Sequence, residues 1–240
     1  GAVFIILFEV FWLLRIFYMN IFLVLSYLRL RLDRDTPWVE LIELADRARV
    51  GILDITASCP AKNTRSKIAC RMHLQAILNA KKKGHLNRSS DDIFHLVIIP
   101  VAKEAQGVVE PGIISIVDGQ YPAGRILLVF ALEEWAADTV KKGVRNVVKK
   151  YKDKFMDILI AEHPSDLPGE ARVKGANTSF AAEKAAQYFS GKNISYENVI
   201  VSCLDADTVL GPDYMSALTF HYLVTPDRDK TRENSDPDSK

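Results

Sequence analysis

The chain has 240 residues, enough for one or two domains, and charged residues make up 25% against 48% hydrophobic. That ordinary globular mix excludes a disordered or collagen-like chain. Lys and Arg total 31 and Asp and Glu 30, a net charge of +1, which argues against a globally basic nucleic-acid binder, and no nucleic-acid partner is expected. Cys59, Cys70 and Cys203 are odd in number, far apart and outside any CxxC pair. They are expected to be unpaired, without a cysteine-rich zinc site, as suits a reducing compartment.

Residues 2–28 are almost wholly apolar. As a helix this run reaches roughly 40 Å, enough to cross a bilayer with tilt. No basic region precedes it and it is too long for a signal peptide. Glu9 and Arg15 interrupt it, and an ion near the bilayer centre costs about 2.5–3.5 kcal/mol. Either Arg15 pairs with another helix, or the run shifts to bring Glu9 near the headgroups. A buried core helix is the competing reading; length and the belt residues Trp12, Tyr18 and Tyr27 favour membrane. Arg29, Arg31 and Arg34 follow, which places the remainder of the chain in the cytoplasm.

Residues 35–92 read as a basic cytoplasmic linker or helical segment. From Ile55 to Ser90 there is no acidic residue, while Lys62, Arg65, Lys67, Arg71, Lys81, Lys82, Lys83 and Arg88 are present. A helix is predicted through RSKIACRMHLQAILNA. Two readings stand: a basic segment on anionic lipid, or charges that simply face water.

From Phe94 the texture alternates. FHLVIIP, RILLVFAL, FMDILIA and NVIVSCL are short, continuous apolar runs, as in parallel strands covered on both faces. Helices are predicted at about 108–119, 135–151 and 178–191. This order makes an α/β fold with a mainly parallel sheet. The polar end, 230–240, reads as a frayed tail.

In open α/β sheets ligands bind beyond the carboxyl ends of the strands. There the chain carries Glu104 after the first strand, Glu133 and Glu134 after the second, and Asp205-Ala206-Asp207 after the fourth. So much negative charge calls for a cation. No GxGxxG, GxxxxGK[ST] or GxSxG is present, so the usual phosphate loops and hydrolase elbow are absent. Two carboxylates one residue apart, sent to the same side, suit Mg²⁺ or Mn²⁺ completed by substrate phosphates. The D-x-D pattern occurs at Asp33/Asp35, Asp205/Asp207, Asp227/Asp229 and Asp236/Asp238, but only the pair at 205 follows an apolar strand.

Taken in order, VIIPVAKE, QYP, the strand ending in Glu133-Glu134, the loop with HP and KGAN, and VSCLDADT resemble glycosyltransferase family 2 over about 94–228. That family has the GT-A fold and includes the membrane-bound cellulose and hyaluronan synthases of polysaccharide biosynthesis. The resemblance implies a nucleotide-sugar-binding domain at 93–229 behind a transmembrane segment with basic flank at 1–34. It implies sugar transfer, with inversion, from a UDP- or GDP-linked donor to a glycan or lipid acceptor. Asp205 and Asp207 would hold Mg²⁺ or Mn²⁺ on the donor diphosphate. Glu133 or Glu134, with Glu133 preferred, would meet the base or ribose; Glu here departs from the family's Asp. Lys174 and Asn177, in the KGAN stretch, would lie near the diphosphate. Glu104 matches the acid of the first motif. The family's general base and QxxRW motif lie well downstream of the metal motif. Only 33 residues follow Asp207 and hold neither, so the base is expected beyond Lys240, in a longer protein of which this is a piece.

Two other readings compete. A haloacid-dehalogenase-like phosphatase would use Asp205 as nucleophile, Asp207 as acid/base and Mg²⁺. It needs a later Lys and acidic pair for which little chain remains. A non-catalytic, membrane-anchored scaffold is the second. His163 could touch substrate but more often such a residue anchors a loop; His95, at a strand start, reads as packing.

Overall fold

A computed structural model describes residues 1–52, 64–164 and 174–225, except for the Lys174 side chain. The predicted tail at 230–240 and the D-x-D pairs at 227 and 236 lie outside the described residues. Helix α1 runs Ala2–Arg34, α2 Trp38–Arg49 and α3 Thr64–Lys82. Strand β1 (Phe94–Val101), α4 (Gln106–Val117), β2 (Ile126–Glu133), α5 (Asp138–Tyr151), β3 (Asp157–His163), α6 (Lys174–Gly191), β4 (Val199–Cys203) and α7 (Tyr214–Val224) follow. Each apolar run read as a strand is a strand, and the three helices predicted after residue 94 are helices.

The strands form one sheet in the order β3-β2-β1-β4, with β1–β2, β1–β4 and β2–β3 all parallel. Such connections need crossovers, and the intervening helices supply them. Apolar residues run without a polar break from Leu96 to Val101 in β1 and from Ile126 to Leu132 in β2, because both faces of these central strands are covered. On one face Val97, Ile99, Leu128 and Phe130 pack against Val109 and Ile113 of α4 and Val140 and Val144 of α5. On the other, Leu96, Ile98, Leu127 and Val129 pack against Ala181, Ala185 and Phe189 of α6. Burying each such large side chain contributes about 1.5–3 kcal/mol.

His95 sits in this packing with its ring wholly buried. Its Nε2 lies 2.8 Å from Thr219 Oγ1 of α7, and its ring meets Tyr121 edge-on. Burial holds its pKa down at about 4, so the ring is neutral.

The segment read as a linker holds two packed helices. Trp38, Leu41, Ala45 and Ala48 recur at helical spacing and form a core with Ile77 of α3 and Phe220 and Leu223 of α7. The helix expected through RSKIACRMHLQAILNA is α3. Helix α1 has no buried residue and is long and apolar enough to cross a membrane. Cys70 is disulfide-bonded, which corrects the expectation of three unpaired thiols; Cys203 is free and exposed.

Candidate functional site: an acidic cleft at the switch point of the sheet

In the order β3-β2-β1-β4 the chain winds outward from β1 in one direction and then returns to β1's other side. The gap between the carboxyl ends of β1 and β4 is therefore the topological switch point, where open α/β sheets leave a crevice. A cleft of about 580 Å³ lies there, lined by residues of four chain segments. Pro100, Val101, Ala102, Glu104 and Val108 follow β1; Glu133 and Trp135 follow β2; Asn177 comes from α6; Asp205, Ala206 and Asp207 follow β4.

The Asp205–Asp207 loop is placed by pairing and by a turn. Leu204 N–H donates to Ile98 O at 2.9 Å, which carries the β4–β1 ladder one residue past the strand. Thr208 N–H then closes on Asp205 O at 2.9 Å. Ala206 is buried while both aspartates are exposed on the cleft wall. The shared side comes from this turn and not from strand alternation, which ends at Cys203.

Behind the loop stands α4. A Cβ on Gly112 would come within 2.6 Å of Thr208 O, so only glycine lets the helix approach this closely. Ser115 Oγ donates to Gly112 O at 2.7 Å and accepts Leu210 N–H at 3.0 Å.

Glu104 lines the cleft, and its Oε2 accepts backbone N–H groups of Ala102 and Lys103 at 2.8 and 3.0 Å. One oxygen thus secures the turn that leads from β1 to α4. Glu133 also lines the cleft. Its Oε2 is 3.6 Å from Nδ1 of buried His163, its register partner on β3. The His163 ring packs edge-on against Phe180 and lies behind Glu133, outside the cleft wall. Glu134 is exposed and does not line the cleft. Its backbone is held instead, with N–H donating to His163 O at 3.0 Å and O accepting Lys141 Nζ at 2.6 Å.

Asn177 is 2% exposed; its Nδ2 donates to Ala131 O at 2.9 Å, and its Oδ1 has no partner. A buried acceptor left so costs about 1–3 kcal/mol. Lys174 opens α6 with its backbone, and its side chain lies outside the described residues. Trp135 is the residue that sequence reasoning missed: its side chain is 50% exposed on the cleft rim. An aromatic directly after an acidic pair at a strand's carboxyl end was the available signal.

Five of the seven residues singled out from the sequence thus line one cleft: Glu104, Glu133, Asn177, Asp205 and Asp207. Among the described residues no Lys or Arg lines it. Residues of the first turns of α4 and α6, Val108 and Asn177, reach the wall, so two helix amino ends border a space whose charged lining residues are all carboxylates. No described group of three or more His, Cys, Asp or Glu residues is arranged to hold a metal by itself. Two aspartates as hard oxygen ligands, completed by a substrate's phosphates, are what a divalent cation would find here.

The fold and cleft define an α/β domain with an acidic site at its switch point. Among solved structures, the chain is similar to mannosyltransferase PcManGT from Pyrobaculum calidifontis in complex with GDP-Man and Mn²⁺, at 17% identity and a TM-score of 0.36. The match covers 77% of this chain and 44% of that one. No family model and no curated protein matches the chain.

Proposed function

We propose that the cleft binds a nucleotide-diphosphate sugar together with Mg²⁺ or Mn²⁺, as the donor half of a family 2-like, membrane-anchored glycosyltransferase. The observation that carries this reading is the convergence of Glu104, Glu133, Asn177, Asp205 and Asp207 on one switch-point cleft from four separate segments. A bare diphosphate would be repelled by the four carboxylates. A divalent cation held by Asp205 and Asp207 would offset that repulsion where the phosphates sit, and as a Lewis acid it would supply neutralisation of the leaving diphosphate.

The chain's own groups do the rest. The amino ends of α4 and α6 favour phosphate oxygens. Lys174, at the start of α6, adds a point charge. Asn177 Oδ1 takes a hydroxyl of the donor, which relieves its unmet acceptor. Glu133 receives the ribose or base, steadied by His163, and Trp135 offers an indole face to the base. Glu104 keeps the β1 turn in shape. The acceptor in this reading is a glycan or lipid, and none of the described cleft residues is assigned as the general base.

Calorimetric titration of the detergent-solubilised chain with UDP, GDP and GDP-mannose, with and without Mn²⁺, tests it. Binding is expected only with metal, and Asp207→Ala should weaken it by roughly a hundredfold, about 2.7 kcal/mol. Equal binding without metal, or by the variant, overturns the assignment.

A further inference from the structure

Helix α3 buries one side against α2 and α7 and leaves the other in the open. On the open side Ile68 is 49% exposed, Met72 61% and Leu78 37%. Around them stand Arg65, Lys67, Arg71, Lys81 and Lys82, all exposed. The helix contains no Asp or Glu. Among the described residues, none of these five cations forms an ion pair. A helix of 19 residues thus presents large apolar side chains within a field of one sign. Such a face suits an interface that is apolar below and anionic at its surface. Water alone does not call for the exposed isoleucine and methionine, and a soluble acidic partner does not need them among the charges.

The position of α3 points the same way. It packs against the C-terminal end of α1, and His73 of α3 feels the charges of Asp33 and Arg29 on that end. If α1 crosses a bilayer, its basic end with Arg29, Arg31 and Arg34 marks the headgroup level. Helix α3, about 28 Å long at 1.5 Å per residue, then lies beside the headgroup level, joined to it near His73. We propose that the outer face of α3 docks on an anionic lipid surface, with Ile68 and Met72 in the headgroup layer and the cations on lipid phosphates and carboxylates. This stands independently of the donor-binding reading of the cleft; it rests on α1 being a membrane anchor.

The test uses the full chain in lipid nanodiscs, one chain per disc, in a Cys203→Ser background. An environment-sensitive fluorophore is attached at Met72→Cys, and in a second sample at Lys149→Cys on the exposed side of α5. Discs of phosphatidylcholine alone are compared with discs carrying roughly 30% phosphatidylserine. The expected result at position 72 is a blue shift and protection from acrylamide in the anionic discs, reversed by high salt. Position 149 should not respond. A basic residue near an anionic surface adds about fivefold to binding, so Arg65→Gln/Lys67→Gln/Arg71→Gln should lower the docked-to-undocked ratio about a hundredfold. Equal probe behaviour in both lipid compositions overturns the proposal. So does protection seen only when two chains share a disc, which would make a second copy the occupant. Should the triple variant melt early, the lipid comparison on the parent chain decides alone.

Discussion

The enclosure of His95 makes stability depend on pH in a predictable direction. Its folded-state pKa is held at about 4 by burial, against 6.5 for an ordinary histidine. Above pH 6.5 neither state is protonated there. As pH falls from 6.5 towards 4, the unfolded chain takes up a proton that the folded one refuses, so stability declines. The decline levels off below about 4 and amounts to about 3 kcal/mol. His73 and His221 are also shifted down by burial and act in the same direction. Replacing His95 with Asn should therefore flatten, but not abolish, the loss of stability between pH 6.5 and 4 in urea unfolding curves. At the cleft, Trp135→Ala should weaken metal-dependent nucleotide binding roughly tenfold or more, the order of one base–aromatic stack. Trp135→Phe should retain most of it. The same residues show what a sequence displays by itself. Asp205 and Asp207 were legible because a D-x-D after an apolar strand is a local pattern. Of the pair Glu133 and Glu134, it is Glu133 that lines the cleft. The unpaired oxygen of Asn177 was not legible, since it depends on Ala131 O across the packed face of the sheet.

At the scale of elements, continuous apolar runs made the strands readable, and the expected helices after residue 94 fell within a few residues of those observed. Helix α2 was hidden, although Trp38, Leu41, Ala45 and Ala48 carry a helical period. Its polar face and the basic stretch beyond it resemble linker composition, and its partners, Phe220 and Leu223, lie near the far end of the chain. The role of Gly112 is a relation between elements and could not be read locally: its need to be glycine is set by Thr208 O, 2.6 Å from where a Cβ would stand. Gly112→Ala should force α4 and the Asp205–Thr208 loop apart. Alanine favours the helix itself, so the cost falls on the contact, about 1–3 kcal/mol of overpacking. The expected outcome is a folded chain whose nucleotide titration with Mn²⁺ shows affinity lowered about tenfold. A variant that binds as the parent does would show that α4 does not set the loop. The Ser115 bonds to Gly112 O and Leu210 N–H make Ser115→Ala a milder probe of the same coupling.

On the scale of the whole molecule, the sheet domain, the α2–α3–α7 layer and α1 raise the question of sidedness. Two observations pull apart. If α1 spans a membrane, the positive-inside rule would put the cluster Arg29, Arg31 and Arg34, and the chain that follows it, on the cytoplasmic side. The disulfide at Cys70 is the kind of bond that persists in oxidising compartments. The charge cluster sits within the last turns of the apolar helix, where positive residues act most strongly on orientation. Read by these charges, the chain after α1 is expected on the cytoplasmic side. Cys203 supplies the test, since it is free, exposed and on the edge strand β4. A membrane-impermeant maleimide applied to intact cells should leave Cys203 unlabelled, and labelling should appear once the membrane is permeabilised. Labelling in intact cells would put the cleft on the opposite face. The arginines would then have lost to the disulfide, and the donor would have to be supplied outside the cytoplasm.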